Sequence, residues 1–264
     1  MDRNRRKTLT TLAGGVAAVG LLGPALVSRA AEKAESKPAA KVLNEKGQVV
    51  HQPLPYVKLD PVQVAELAYD NYYKGDCMYG VFTSIVEALA EKVGEPYASY
   101  PTTVTRYGAG GVLGWATLCG AANGAAMAIY LVSKEPMPLI DEIYNYCQAT
   151  ALPDYTPKKA KFKIAQSVSQ STLCHVSVTK WCEVSGAKSF SPERAERCGH
   201  LVASVAKKTV EVLNAQAEGQ FKAAFPIPAD VQACRACHDQ KGTLENTRGK
   251  MACGSCHDEK HPEI

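Results

Sequence analysis

The sequence predicts a mainly α-helical protein: a helical bundle followed by a small C-terminal module that its own apolar residues cannot hold together. Three observations predict this. Apolar residues recur at helical spacing between residues 60 and 216, with caps and stops where helices should begin and end. Pro226 and Pro228 then mark a hinge. The residues beyond it are few, polar and rich in Cys and His, too poor in apolar groups to build a core.

The helices follow in chain order. Asp60 is an N-cap with Pro61 at the first helical position, and Val62, Val64, Leu67, Ala68 and Tyr72 run on to a stop at Gly75. Asp76 opens a second helix carrying Met78, Val81, Phe82, Ile85, Val86 and Leu89, ended by Gly94. A turn-rich loop passes through Pro96, Pro101 and the run Gly108-Ala109-Gly110-Gly111. The stretch from Val112 to Leu131 is apolar on nearly all sides, which predicts a helix at the buried centre of the bundle. Pro136 and Pro138 separate it from an amphipathic helix over Leu139–Cys147. Residues 151–190 read as short helices or loops. Ser191-Pro192 then starts a long helix with Leu201, Val202, Val205, Val210 and Leu213, ending near Gln216. The domain plan is an export signal at 1–30, a polar linker at 31–58, the bundle at 59–225 and the C-terminal module at 226–264.

That module contains Cys234-Arg235-Ala236-Cys237-His238 and Cys253-Gly254-Ser255-Cys256-His257, each a C-x-x-C-H. The spacing has a chemical reason. Two thiols three positions apart reach the two vinyl groups of one porphyrin, and the adjacent His supplies the proximal nitrogen to its iron. A zinc site uses similar Cys pairs, but it does not explain His at the same offset in both motifs. The reading is two covalent haems c, attached through Cys234, Cys237, Cys253 and Cys256, with His238 and His257 as proximal ligands.

The N-terminus reads as an export signal. Arg3, Arg5, Arg6 and Lys7 are followed by an apolar, Gly- and Ala-rich stretch from about Leu9 to Val27, and small residues flank Arg29 at a cleavage site. The Arg5-Arg6 pair resembles a twin-arginine signal. An uncleaved membrane anchor is the alternative; in either case the body lies outside the cytoplasm, in the periplasm. The net charge of +4 includes this basic signal, so the mature chain is near neutral and carries no basic patch of the kind that binds nucleic acid.

Six cysteines remain: Cys77, Cys119, Cys147, Cys174, Cys182 and Cys198. An even number in an exported protein fits three disulfides. Thiols on helices expected to be buried, with glycines around Cys119 that permit close approach, equally suit an iron–sulfur centre, which a twin-arginine route for prefolded proteins favours. Both readings stand on the residues alone.

Gly75-Asp76-Cys77 at a helix start, Leu118-Cys119-Gly120-Ala121-Ala122-Asn123-Gly124, and Cys182 and Cys198 before a final helix resemble the cysteine–glycine–cysteine–alanine redox-protein domain. Followed by two C-x-x-C-H motifs, this resembles the split-Soret cytochromes c of sulfate-reducing bacteria, over nearly all of the mature chain. The run here reads Cys-Gly-Ala where the domain pattern has Gly-Cys-Ala. The resemblance implies a homodimer with two closely stacked bis-histidine haems per subunit, each iron taking one histidine from the partner subunit. It also implies a [2Fe-2S] centre held by Cys77, Cys119, Cys182 and Cys198, with Cys174 as the substitute ligand and Cys147 as bystander.

The sixth ligands of the haem irons must come from His51, His175, His200, His261 or a Met such as Met251. His261, four residues after His257, is the first choice and His175 the second, while His200 is expected to face solvent. With both axial positions filled, the iron favours electron transfer over small-molecule chemistry. The expected function is therefore that of a periplasmic dihaem electron carrier, with soluble redox partners that the sequence does not identify. The competing reading is a reductase acting on a small inorganic or thiol substrate, for which the sequence supplies no acid–base or nucleophile constellation.

Overall fold

The computed structural model describes residues 52–257. The export signal, most of the linker, His51 and His261 lie outside the described residues. The described chain contains six α-helices and two short 3-10 turns, and only isolated bridges pair its extended segments, at Leu118–Leu173 and Leu152–Ser167. A mainly helical bundle is thus observed as expected.

Helix α1, Pro61–Val93, starts as its sequence dictates. Asp60 Oδ1 accepts from the Val62 and Gln63 amides at 2.8 and 3.1 Å, satisfying two donors that the first turn leaves open. The expected break is present: Gly75 and Asp76 leave helical geometry, Asp76 at φ 67°, so two helical segments meet at a kink immediately before Cys77. Gly94, at φ 78°, ends the helix. A 3-10 turn follows at Thr102–Gly108, then α2 at Gly120–Val132, α3 at Pro136–Ala149, α4 at Cys174–Ser185, α5 at Pro192–Ala217 and α6 at Ala229–His238. Ser191 caps α5, its hydroxyl accepting from the Arg194 amide.

The helix expected over 112–131 is realised only from Gly120. Val112, Leu113 and Ala116 adopt positive φ, and the chain here pairs with a distant segment instead of with itself: the Cys119 amide donates to Thr172 O at 2.8 Å, Cys174 N to Thr117 O at 2.7 Å, and His175 N to Ala116 O at 3.0 Å. Those bonds withdraw residues 116–119 from any helix. α2 is also not apolar on all sides of a buried position, for Tyr130 is 59% exposed.

The core lies where α1 crosses α5 and α2, and α3 closes the layer against α2 and α5. Val64, Ala68, Phe82, Ile85 and Leu89 of α1 meet Ile129 of α2, Ile143 of α3 and Val202, Val205 and Leu213 of α5, all essentially inaccessible. Removing such groups from water contributes about 2 kcal/mol per large side chain. Residues 54–58, expected at the end of the linker, belong to this body together with Leu59. Leu54 and Leu59 are buried, Leu54 N donates to Leu131 O, and Tyr56 donates to Asn214 at the end of α5.

Candidate haem and cysteine centres

The two haem motifs are built differently. Cys234 and Cys237 sit three apart on α6, so both sulfurs leave one face of the last turns, with His238 directly after them. Cys253–Ser255 form a single 3-10 turn in which the Cys256 and His257 amides both donate to Cys253 O at 3.1 Å. Cys237 and Cys256 are exposed and Cys234 and Cys253 half-buried. In the described tail Val231 is the one buried hydrophobic. Thiol pairs on an open surface, next to an imidazole and with almost no core beneath, fit covalent attachment to two flat apolar groups that would supply the missing core.

Two further features support that fit. The loop 239–248 folds back on α6, Leu244 N donating to Cys237 O and Thr247 N to His238 O. This carries Asn246 Oδ1 to 2.8 Å from His238 Nδ1. An amide oxygen only accepts, so Nδ1 bears the proton and the ring lone pair falls on Nε2, the nitrogen a haem iron would bind. In addition Cys234 and Cys253 adjoin: burial and then the neighbouring Cys234 sulfur raise the Cys253 thiol above its usual range. The first cysteine of one motif therefore lies against the first cysteine of the other.

The remaining cysteines gather where the kink of α1, the head of α2, the head of α4 and the first turns of α5 converge. Cys77 and Cys198 are buried; Cys119, Cys147, Cys174 and Cys182 are half-buried. The Cys77 thiol donates to the Cys198 sulfur, which raises Cys77, and burial adds to the effect. Cys198 is held well below the usual thiol range by that bond, against the effect of burial, and by the guanidinium groups of Arg197 and Arg194. Burial raises Cys119, partly offset by the Ala122 and Ala121 amides at the head of α2 and by Arg197. Burial and the Cys119 and Cys198 sulfurs push Cys174 up to about 12. Gly120 permits the convergence, because a Cβ there would lie 2.6 Å from Gly108 O and 2.9 Å from Cys77 Cβ.

Cys77, Cys119, Cys174 and Cys198 thus act on one another. Cys182 lies eight residues beyond Cys174 on α4, and burial and then the Cys119 sulfur raise the Cys147 thiol. Among the described residues no three His, Cys, Asp or Glu side chains are grouped as a single metal ion needs. Cys77 and Cys198 share a hydrogen bond, and the Cys119 and Cys174 sulfurs act electrostatically on both.

His175 is exposed at the head of α4. His200 does not face solvent: it is 2% exposed and its Nε2 lies 3.1 Å from Glu196 Oε1. Glu196 is itself buried and accepts from Tyr69, Tyr73 and the Lys161 amide. Burial alone would raise its carboxyl, yet those donors hold it below the usual range. His200 is committed to this network and does not serve as a haem ligand.

Sequence reasoning did not single out Arg197, Glu196 or Asn246. The Glu196–His200 spacing of four was a usable signal, and so was an arginine adjoining Cys198; Asn246 left none.

The tail docks on the wall of the cysteine group. Lys250 pairs with Asp141 of α3 at 2.6 Å, the Ala252 amide donates to Gln148 Oε1 at 3.1 Å, and the hydroxyls of Ser171 and Thr172 lie 3.5 and 3.2 Å from Met251 Sδ. Thr172 in turn accepts from the Cys119 amide. A short run of bonds joins the second haem motif to a thiol of the cysteine group.

Residues 79–212 match the redox-active protein family named for its C_GCAxxG_C_C cysteine pattern. The chain is 40% identical over 199 residues to the split-Soret cytochrome c of Desulfovibrio desulfuricans, covering 72% of this chain and 71% of that one. A solved structure of the split-Soret cytochrome c from Desulfovibrio desulfuricans ATCC 27774, described for a novel iron centre, superposes with a TM-score of 0.74 at 38% identity, covering 78% of this chain and 90% of the other. With its fold, its paired thiols and its two adjoining C-x-x-C-H motifs, the chain belongs to the split-Soret cytochrome c family.

Proposed function

We propose that this protein is an electron carrier of the periplasm, holding two haems c in its tail and a [2Fe-2S] centre in its helical domain. The observation that carries the proposal is the docking of residues 250–252 on the residues that frame the cysteine group. Two redox centres joined by Met251, Thr172 and the Cys119 amide are placed to exchange electrons within one chain. Bound haem and iron supply the one-electron chemistry; the protein's own residues do the rest. Cys234, Cys237, Cys253 and Cys256 fix the haems, Asn246 orients His238, and Arg197 and Arg194 offset negative charge on the sulfurs. Cys77, Cys119, Cys174 and Cys198 are the proposed iron ligands. This reading takes Cys174 where the resemblance implies Cys182, which lies eight residues further along α4.

The proposal extends to a homodimer in which the irons share histidines between subunits. Leu113 and Trp115, 72% and 80% exposed, support a subunit interface near the loop before α2. His175, three residues beyond the Thr172 that meets Met251, is the described histidine open to such ligation. Export rests on the basic and apolar N-terminus, and sequencing the N-terminus of the mature protein tests it.

The deciding experiment is anaerobic purification, with total iron and haem measured per chain and the reduced EPR spectrum recorded. Iron in excess of two per chain, with a reduced iron–sulfur signal, is expected. Iron equal to haem refutes the cysteine centre. Carbon monoxide shifting the spectrum of the reduced native protein would expose an open iron and refute bis-histidine electron transfer.

A further inference from the structure

Beside the cysteine group lies a small cavity of about 10 Å³, room for one water-sized guest, lined by Arg197, Ser167, Ser177, Cys119 and Cys147. Arg197 is only 2% exposed and, among the described residues, pairs with no carboxylate. One of its terminal nitrogens donates to Ser177 Oγ at 2.8 Å, but its Nε–H has no acceptor. Ser167 Oγ is buried and likewise has no partner. Ser177 spends a lone pair on Arg197 and keeps its own proton without an acceptor. The neighbouring Ser169 hydroxyl is already donated to backbone carbonyls.

The wall therefore has unanswered donors and a permanent positive charge. A guanidinium keeps its charge at any pH a protein survives, and a buried charge requires an answering one. The Cys198 sulfur answers part of it. When that sulfur binds iron its charge is shared with the metal, and the Nε–H remains unanswered. A water molecule would answer these donors but not the charge, whereas an anion answers both.

We propose that this cavity is a binding site for one anion with a single heavy atom, a halide or hydrosulfide, held by Arg197 Nε–H and the Ser167 and Ser177 hydroxyls with the Cys119 and Cys147 sulfurs alongside. The site stands on the cavity and its unpaired donors, independently of whether iron occupies the cysteine group. It places an exchangeable small anion directly beside that group.

The test uses the anaerobic holoprotein equilibrated in bromide in place of chloride, crystallised, and measured at the bromine and iron absorption edges. A bromine peak in contact with Arg197 and Ser167 is expected, lost in Arg197→Met and weakened in Ser167→Ala, which changes one hydroxyl and preserves the fold. A parallel arm adds sodium sulfide. Displacement of bromide identifies hydrosulfide as the preferred guest, and retention identifies a halide. Density that refines as water, with neither bromide nor sulfide entering, overturns the proposal. The iron-edge map reports on the cysteine centre separately, so failure of one reading is not mistaken for failure of the other.

Discussion

Replacing Gly120 with Ala tests whether close approach at the head of α2 holds the cysteine group together. The new Cβ would stand 2.6 Å from Gly108 O, 2.9 Å from Cys77 Cβ and 3.0 Å from Met78 N, and none of these is the loose end of a side chain. Ordinary contact begins at 3.4 Å, so α2 must withdraw by close to an ångström, or α1 must bend at its kink. Overpacking of this kind costs about 3 kcal/mol, while Ala in place of Gly at a first helical position returns somewhat less than ~1 kcal/mol. The net loss is about 2 kcal/mol, which for a domain of this size lowers the apparent unfolding temperature by roughly 4–8 °C in a calorimetric scan. Because the withdrawal separates Cys119 from Cys77, non-haem iron should fall with it. Gly249→Ala, where nothing lies within 4 Å of the added carbon, is the control and should leave stability within about 0.5 kcal/mol. If Gly120→Ala unfolds with the native protein and keeps its iron, the close packing described here has no part in assembling the site.

Other perturbations follow from the same geometry. Glu196→Gln replaces a carboxylate that gathers bonds from Tyr69, Tyr73, His200 and the Lys161 amide. Weakening these charge-assisted bonds by about 1 kcal/mol each, less the lighter desolvation of an amide, predicts a net loss of about 2 kcal/mol in thermal unfolding, and an unchanged midpoint counts against the network. Asn246→Ala removes the acceptor that fixes His238, so one of the two haem signals in the EPR spectrum should shift while the other stays; two unchanged signals refute the orienting role. Met251→Ala breaks the contact with Thr172 and should slow electron exchange between haem and cysteine centre several-fold in a rapid-mixing experiment, with both centres spectroscopically intact. Ile129→Ala opens a hole at the α1–α2–α5 junction and should cost about 3 kcal/mol, read by denaturant titration.

How much of this was legible in the sequence depended on how local the cause was. The start of α1 was readable because Asp60 and Pro61 act on the turn they begin, and its break was readable because Gly75 acts on itself. The haem motifs were readable because porphyrin chemistry fixes their spacing. Residues 112–119 were misread as helix because what unwinds them is pairing with residues 172–175, more than fifty positions away, which no window of apolar periodicity contains. The same cause left residues 151–190 read only as short helices or loops, because the segment before α4 has no periodic pattern. His200 looked like the solvent face of a helix, and only the packing of α1 on α5 turns it inward.

The contact between Cys234 and Cys253 bears on how the protein is made. In the chain before haem attachment those two thiols are neighbours, each the first cysteine of its motif. An oxidant that removed two electrons and two protons from the pair would join them and cancel one attachment point in each motif at a stroke. Peptide mapping of haem-free chain made under oxidising conditions should reveal that cross-link. Maturation is then a race between thioether formation and thiol oxidation, and a reductant that keeps these two sulfurs reduced would favour haem attachment.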